Sequence, residues 1–239
     1  MGNDGGNSGA TGGIDRRPIA AREKPVFRRM AAALAASRIS PNGISVFGMA
    51  CGLVGGAALA ATAHASSDGL ERSAWLVGAA LVQVRLLCNL LDGLVAVEGG
   101  MRSATGDLYN DVPDRVSDAA TLIGLGYAAQ SNVELGYLAA LLAVFTAYCR
   151  VMGKSVAGVS DYRGPMAKQQ RMFLVTVTGL YLGCAPAAWR PTFGENGAWG
   201  LPTVVLGVIA AGCAVTGMRR LRGAAAVLRG AWAGGGERR

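Results

Sequence analysis

Long apolar segments recur along this chain and are separated by short polar stretches. Each segment is about 20 residues long, which is the length of an α-helix that crosses the hydrocarbon core of a bilayer. Their apolar residues are clustered and do not follow the spacing of a soluble amphipathic helix. The candidate spans are roughly 43–63, 74–97, 107–128, 133–152, 171–189 and 199–218. The pattern predicts an all-α, polytopic integral membrane protein with six transmembrane helices.

The segment before the first span has a different character. Residues 1–14 are rich in Gly, Ser and Asn, and we expect this tail to be disordered. In residues 15–41, Arg28 and Arg29 stand beside apolar residues, which favours an amphipathic juxtamembrane helix on the membrane surface. A solvated basic tail is the alternative. The predicted organisation is completed by a membrane domain, 42–219, and a basic cytoplasmic tail, 220–239.

The positions of Lys and Arg predict how the spans are oriented. With six spans, nearly all positive charge falls on the side that holds both termini and the loops around 101–102 and 150–171. The loops on the opposite side carry only Arg72 and Arg190. Because cytoplasmic loops are enriched in Lys and Arg, both termini are predicted to be cytoplasmic, in a cell inner (plasma) membrane.

Composition agrees with the membrane interpretation. The chain is 51% hydrophobic and 16% charged, with a mean hydropathy of +0.34, which is too apolar for an ordinary soluble domain. The net charge of +8 could indicate a nucleic-acid partner. However, the basic residues flank hydrophobic segments and form no patch interleaved with aromatic residues. We therefore expect an anionic membrane lipid surface as the partner and no nucleic acid.

Polar residues enter the second and third spans, where burial without a function would be expensive. Asn89 and Asp92 project within about 60° of each other on an ideal helix. The next helix carries further polar residues within about 100°, namely Asp107, Asn110, Asp111, Asp114 and Asp118. Such oxygen ligands without His or Cys suit Mg²⁺, Mn²⁺ or Ca²⁺. The facing polar stripes thus predict a site for a hard divalent cation.

Individual members of this set have simpler interpretations. Asn89 or Asp118 alone could form ordinary hydrogen bonds between membrane helices. Arg85, one turn before Asn89, could be a counter-charge to Asp92 or a ligand of the substrate. The complete set at helical spacing is what favours a functional site.

The spacing resembles the signature of the CDP-alcohol phosphotransferases, D-x-x-D-G-x-x-A-R-x8-G-x3-D-x3-D. This chain has Asn89, Asp92, Gly93, Ala96, Val97, Gly106, Asn110 and Asp114 at those positions. "SPNGIS" (40–45) resembles the entry to the family's first span, and "GPMAKQQRM" (164–172) resembles the stretch before its fifth. A surface helix followed by six spans is also the family's architecture.

The resemblance implies a membrane phosphatidyltransferase of phospholipid biosynthesis. The enzyme would transfer a substituted phosphate from CDP-diacylglycerol, or a similar CDP-alcohol, to an acceptor alcohol and release CMP, with Mg²⁺ or Mn²⁺. The implied base is Asp114, and the implied metal ligands are Asn89, Asp92, Asn110 and Asp114, with Asp111 as a possible addition. Implied nucleotide contacts are Asn42, Gly93, Ala96 and Gly106. Arg150 and Lys168 could hold an anionic acceptor or lipid phosphate. Members of the family tend to form homodimers.

The motif departs from the family at three positions. The first and third aspartates are Asn89 and Asn110, and the arginine is Val97, so the matched carboxylates fall from four to two. Asp111 or Asp107 could supply a further carboxylate, or the site could hold a single metal. A catalytically silent relative that binds a CDP-lipid remains an alternative function, and a small transporter is a second one.

Overall fold

Seven α-helices account for most of the described chain. The computed structural model describes residues 25–37, 39–101, 104–158 and 160–235. The helices are α1 (Pro25–Ala36), α2 (Pro41–Ala61), α3 (Asp68–Glu98), α4 (Gly106–Gly126), α5 (Val133–Ala157), α6 (Lys168–Cys184) and α7 (Leu201–Gly235). The predicted disordered tail, residues 15–24 of the predicted surface helix and residues 236–239 lie outside the described residues.

The all-α prediction is confirmed, with one small addition. Thr192–Phe193 and Trp199–Gly200 pair as β1 and β2 in a two-stranded antiparallel hairpin between α6 and α7. Helix α7 also runs on to Gly235, so residues 220–235, predicted to be a tail, continue the last helix.

Four of the helical segments are long and apolar enough to cross a membrane, and they indicate a membrane protein. These segments are Pro41–His64, Asp68–Glu98, Val133–Ala157 and Leu201–Gly230. The other two predicted spans correspond to α4 and α6. Helix α4 carries the acidic residues of the motif, and α6 has 17 residues, which is at the short end of the range for a membrane span. Length and composition therefore do not identify these two as spans by themselves.

The two polar helices pack against the apolar ones. Helix α4 packs against α2 and α5, whereas α6 packs against α3, and α5 packs against α7. The main hydrophobic core includes Trp75 of α3, Leu122 of α4, Val175 of α6 and Ile209 of α7. This arrangement turns the polar faces of α4 and α6 toward the interior of the bundle.

Helix α1 lies against the end of α3 where the motif begins. Ala31 is fully buried in a second hydrophobic cluster with Leu91 and Val95 of α3. The Arg28 side chain donates to Glu98 at 3.0 Å. The helix thus covers the end of α3 that carries the motif, within the range predicted for the surface helix.

Glycines allow very close packing between α2 and α4. A Cβ added at Gly124 would lie 2.1 Å from the Gly56 carbonyl oxygen, and one added at Gly56 would lie 2.4 Å from that of Ala120. Because these contacts are with backbone atoms, no side chain can rotate away. Small residues of this kind let membrane helices approach closely.

We expect Gly124→Ala to destabilise the bundle by about 1–3 kcal/mol, because the added methyl group overpacks the α2–α4 contact. Gly207→Ala is the matched control, since a Cβ there would meet nothing within 4 Å. Thermal unfolding of both variants in detergent measures the difference. Equal midpoints for the two variants would contradict this packing.

Candidate active site at the junction of α3 and α4

The motif residues meet where α3 ends and α4 begins. Asn89 Nδ2 of α3 donates to Asp114 Oδ1 of α4 at 2.6 Å. Thus the first and last positions of the motif are in direct contact across two helices. Asp92 lies one turn beyond Asn89 on α3 and is 4% exposed.

Asp114 is held by donors from three directions. Besides Asn89, Arg85 Nη2 donates to the Asp114 backbone carbonyl at 2.9 Å and lies 3.4 Å from Oδ1. Lys168 Nζ, from the first residue of α6, contacts Oδ2. Both carboxylate oxygens therefore have cationic or amide partners, and these partners fix the direction of the side chain.

Asp92 is held separately. Ser45 Oγ of α2 donates to Asp92 Oδ2 at 2.7 Å. Ser45 belongs to the "SPNGIS" stretch, so this hydrogen bond connects two segments that carry the family resemblance.

The remaining acidic and amide residues of α4 are placed differently. Asn110 is exposed at the edge of the site. Asp111 pairs with Arg115 at 3.2 Å and with Arg150 of α5 at 3.2 Å. Asp111 is therefore engaged in ion pairs and does not join Asp92 and Asp114. The side chain of Asp107 is outside the described part of the chain.

A buried ion network lies one helical turn deeper. Arg85 Nη2 is 2.5 Å from Asp118 Oδ1, and Arg171 Nη2 of α6 donates to Asp118 Oδ2 at 2.9 Å. All three side chains are less than 5% exposed. Arg85 is thus a counter-charge to Asp114 and Asp118 of α4, whereas one of its two interpretations from the sequence makes it a counter-charge to Asp92.

A cavity of about 340 Å³ opens beside Asp114, between α3, α4, α5, α6 and α7. Five cationic side chains line its wall, namely Arg115, Arg150, Lys168, Arg171 and Arg220, against the carboxylates of Asp111 and Asp114. Arg150 also lies over the Tyr162 ring, at 5.6 Å from the centroid. The excess of positive charge suits an anionic ligand.

The predicted nucleotide contacts lie on another side of the site. Asn42 is in the first turn of α2, Gly93 and Ala96 follow Asp92 on α3, and Gly106 is the first residue of α4. None of these four lines the cationic cavity. Asp114 and Asn89, which are in contact, both line the cavity, so the cavity reaches the first position of the motif on α3.

The residues present can hold a hard divalent cation, but they do not include all four carboxylates of the family signature. Asp92 and Asp114 supply carboxylates, and Asn89 and Asn110 can supply amide oxygens, which are the donors that Mg²⁺ and Mn²⁺ prefer. Among the described residues, no cluster of three or more His, Cys, Asp or Glu side chains forms. The donor set therefore fits one cation better than a closely spaced pair.

Several residues at the site were not identified from the sequence. Arg171 and Arg220 line the cavity, and Arg220 Nη1 donates to the Thr146 carbonyl at 2.7 Å. Arg171 carried a usable signal, because it is a charged residue at the start of a predicted span. Arg163, in the loop between α5 and α6, is highly exposed and pairs with Asp161. This pairing holds the pKa of the Asp161 carboxyl below its usual value.

Comparison with known proteins gives one sequence relative. No protein family model matches the chain. Inner membrane protein YnbA of Escherichia coli K12 is 27% identical over 123 residues. The match spans 52% of this chain and 60% of YnbA, which is less than two thirds of that protein.

Solved structures give a stronger likeness. Phosphatidylinositol phosphate synthase (PgsA1) of Mycobacterium tuberculosis, in complex with manganese and citrate, aligns with a TM-score of 0.64 at 19% identity, over 83% of this chain and 88% of that chain. The same enzyme with CDP-DAG bound gives 0.64 at 19% identity, over 84% and 94%. Its apo form gives 0.55 at 24% identity, over 81% and 93%. PgsA1 is a CDP-alcohol phosphotransferase, and this chain has the CDP-alcohol phosphotransferase fold.

Proposed function

We propose that this protein is a CDP-alcohol phosphatidyltransferase of phospholipid biosynthesis. It would transfer the phosphatidyl group of CDP-diacylglycerol to an acceptor alcohol and release CMP. The observation that carries the proposal is the contact of Asn89 with Asp114, which brings the two ends of the motif together in this fold. The solved synthase with CDP-DAG bound supports the choice of donor.

The membrane arrangement follows from the same proposal. Helices α4 and α6 would complete a set of six spans with the four apolar helices, since both pack against them and expose apolar side chains on their outer faces. Helix α1 would lie on the membrane surface, and both termini would be cytoplasmic. The chain would reside in the inner membrane, as the name of YnbA suggests for that relative. A homodimer is expected by resemblance.

In the proposed reaction, the acceptor hydroxyl attacks the phosphorus that carries diacylglycerol. The bond from this phosphorus to the bridging oxygen breaks, and that oxygen leaves with CMP. Asp114 would take the hydroxyl proton, because its carboxylate faces the cavity. Asn89, Arg85 and Lys168 would hold the Asp114 carboxylate in place during the transfer.

Asp92, Asp114 and the amide oxygens of Asn89 and Asn110 would hold Mg²⁺ or Mn²⁺. The manganese in the solved synthase supports this predicted cofactor. When bound, such a cation offsets the negative charge on phosphate oxygens during transfer. Ser45 would keep the Asp92 carboxylate oriented.

The cationic cavity would receive the acceptor. Arg150 and Lys168 line its wall together with three further arginines, and the predicted nucleotide contacts lie elsewhere. Arginine binds phosphate through several donors in a fixed plane. We therefore propose that the preferred acceptor is an alcohol that carries a phosphate or another anionic group.

We expect Arg150→Gln to raise KM for a phosphate-bearing acceptor about 10-fold, with a smaller effect on a neutral alcohol, because one charge-assisted contact is lost. Arg229→Gln, on the exposed part of α7, is the control. Steady-state kinetics with a polyol phosphate and with the corresponding polyol measure both effects. An equal change for both acceptors would contradict an anion site in the cavity.

The proposed activity is tested by incubating the purified protein with CDP-diacylglycerol, Mg²⁺ or Mn²⁺, and a panel of alcohols. We expect release of CMP that depends on one acceptor and on the cation. Binding of CDP-diacylglycerol without CMP under any metal would indicate a silent relative. Solute flux in liposomes without CMP release would indicate a transporter.

A further inference from the structure

Asp111 has no part in the proposed reaction, although it lines the cationic cavity beside Arg150. Its carboxylate accepts from Arg150 Nη2 through both oxygens, at 3.2 and 3.3 Å, and from Arg115 Nη2 at 3.2 Å. Arginine recognises carboxylates and phosphates through the same N–H groups. Asp111 therefore occupies donors that a phosphate bound in the cavity would also use.

The ion pairs of Asp111 are looser than the pair that lies deeper in the bundle. Their distances exceed the value of about 2.7–2.9 Å that is usual between a charged nitrogen and a carboxylate oxygen. The Asp111 side chain is 43% exposed and that of Arg150 is 25% exposed, and such exposed pairs contribute little to stability. Arg171, in contrast, is nearly inaccessible where it donates to Asp118 at 2.9 Å. Of these two carboxylates, Asp111 is thus the one that a ligand can displace.

A phosphate held by Arg150 would lie close to the Asp111 carboxylate. Because like charges a few ångströms apart repel each other, the carboxylate must either turn toward water or weaken the binding of the phosphate. In both cases the charge of Asp111 opposes binding. The other charges of the wall act on a phosphate whether or not Asp111 is charged, and they belong to Asp114, Lys168, Arg171 and Arg220.

We infer that Asp111 competes with the anionic group of the acceptor for Arg150 and Arg115, and that it thereby lowers the affinity of the cavity for phosphate. The inference rests on the proposed function, because the anion would be the phosphate of the acceptor alcohol. In the empty cavity, the chain itself would neutralise these two arginines, and small anions in solution would bind weakly.

The test measures the dissociation constant of inorganic phosphate by isothermal titration calorimetry. It uses the purified full-length protein in a neutral detergent without divalent cations. We expect Asp111→Asn to bind phosphate about 10-fold more tightly than the wild type, because one repelling and competing charge is removed. Asp68→Asn makes the same chemical change at the opposite end of the bundle and should leave the affinity unchanged. A gain of affinity does not arise from a damaged fold, so it separates competition from a structural role.

Two further measurements locate the anion and identify its source. The gain caused by Asp111→Asn should become smaller in the double variant D111N/R150Q, because only Arg115 then remains of the two arginines in question. A polyol phosphate should compete with inorganic phosphate, whereas phosphatidic acid in the same micelles should not.

Equal or weaker phosphate binding by folded Asp111→Asn would overturn the inference, and Asp111 would then be a residue that orients Arg150. Competition by phosphatidic acid alone would also overturn it, since the anion would then be a lipid phosphate. If Asp111→Asn does not fold, Asp111→Ser is measured with the same expectation. Phosphate binding is independent of turnover. Tighter binding by the variant without CMP release would refute the proposed function and leave the competition standing, and CMP release with unchanged phosphate binding would do the reverse.

Discussion

Replacing Asp114 with Asn is expected to lower the rate of CMP release by about 10² to 10⁴-fold, the range typical for loss of a positioned general base. The amide keeps the size of the side chain but cannot accept the acceptor's proton. CMP release from CDP-diacylglycerol, measured at saturating acceptor and cation, gives this effect directly.

Two measurements separate a chemical loss from a structural one. Asp68→Asn, at the start of α3 on the opposite end of the bundle, removes a half-exposed carboxylate that pairs with Arg72 and Arg190 and should retain activity. The Asp114→Asn protein should also remain monodisperse and still bind CDP-diacylglycerol. Normal turnover by this variant would refute Asp114 as the base.

The second large effect concerns stability. Asp118→Ala is expected to reduce the free energy of unfolding by about 3–5 kcal/mol, because Arg171 would be left buried without its counter-charge and Arg85 would keep only Asp114. Their contacts with Asp118 are 2.5 and 2.9 Å, and all three side chains are nearly inaccessible. Thermal unfolding in detergent should show a clear drop in the midpoint.

Glu98→Ala is the control for this experiment. It removes the partner of Arg28, whose side chain is 66% exposed, and exposed ion pairs contribute about 0–1 kcal/mol. If the two variants unfold at the same temperature, the network around Asp118 does not stabilise the bundle. Asp118 would then be interpreted as an ordinary hydrogen-bonding residue between membrane helices.

Much of the fold could be predicted because apolar runs and helix length are local properties of the sequence. The all-α architecture and the helices that carry the motif follow from them. Apolar runs alone do not establish whether α4 and α6 cross the membrane, since the polar residues that form the site also lower the hydropathy of these helices. Their burial depends on neighbours that local periodicity does not reveal.

The same distinction holds at the site. Helical spacing predicted that the polar residues of the second and third spans would face each other, and Asn89 of α3 does contact Asp114 of α4. Spacing could not predict that Lys168, considered as a substrate ligand, would contact Asp114, or that Arg150 would pair with Asp111. These partners come from helices far apart in sequence, and only the packing of α5 and α6 brings them to α4.

The most direct test of the account follows the transferred phosphate. CDP-diacylglycerol labelled at the phosphorus attached to diacylglycerol is incubated with the protein, the cation and the preferred acceptor. We predict that the label passes to a new phospholipid while CMP is released unlabelled, and that Asp114→Asn prevents this. Label that stays in CDP-diacylglycerol, or that appears only in phosphatidic acid, would contradict phosphatidyl transfer.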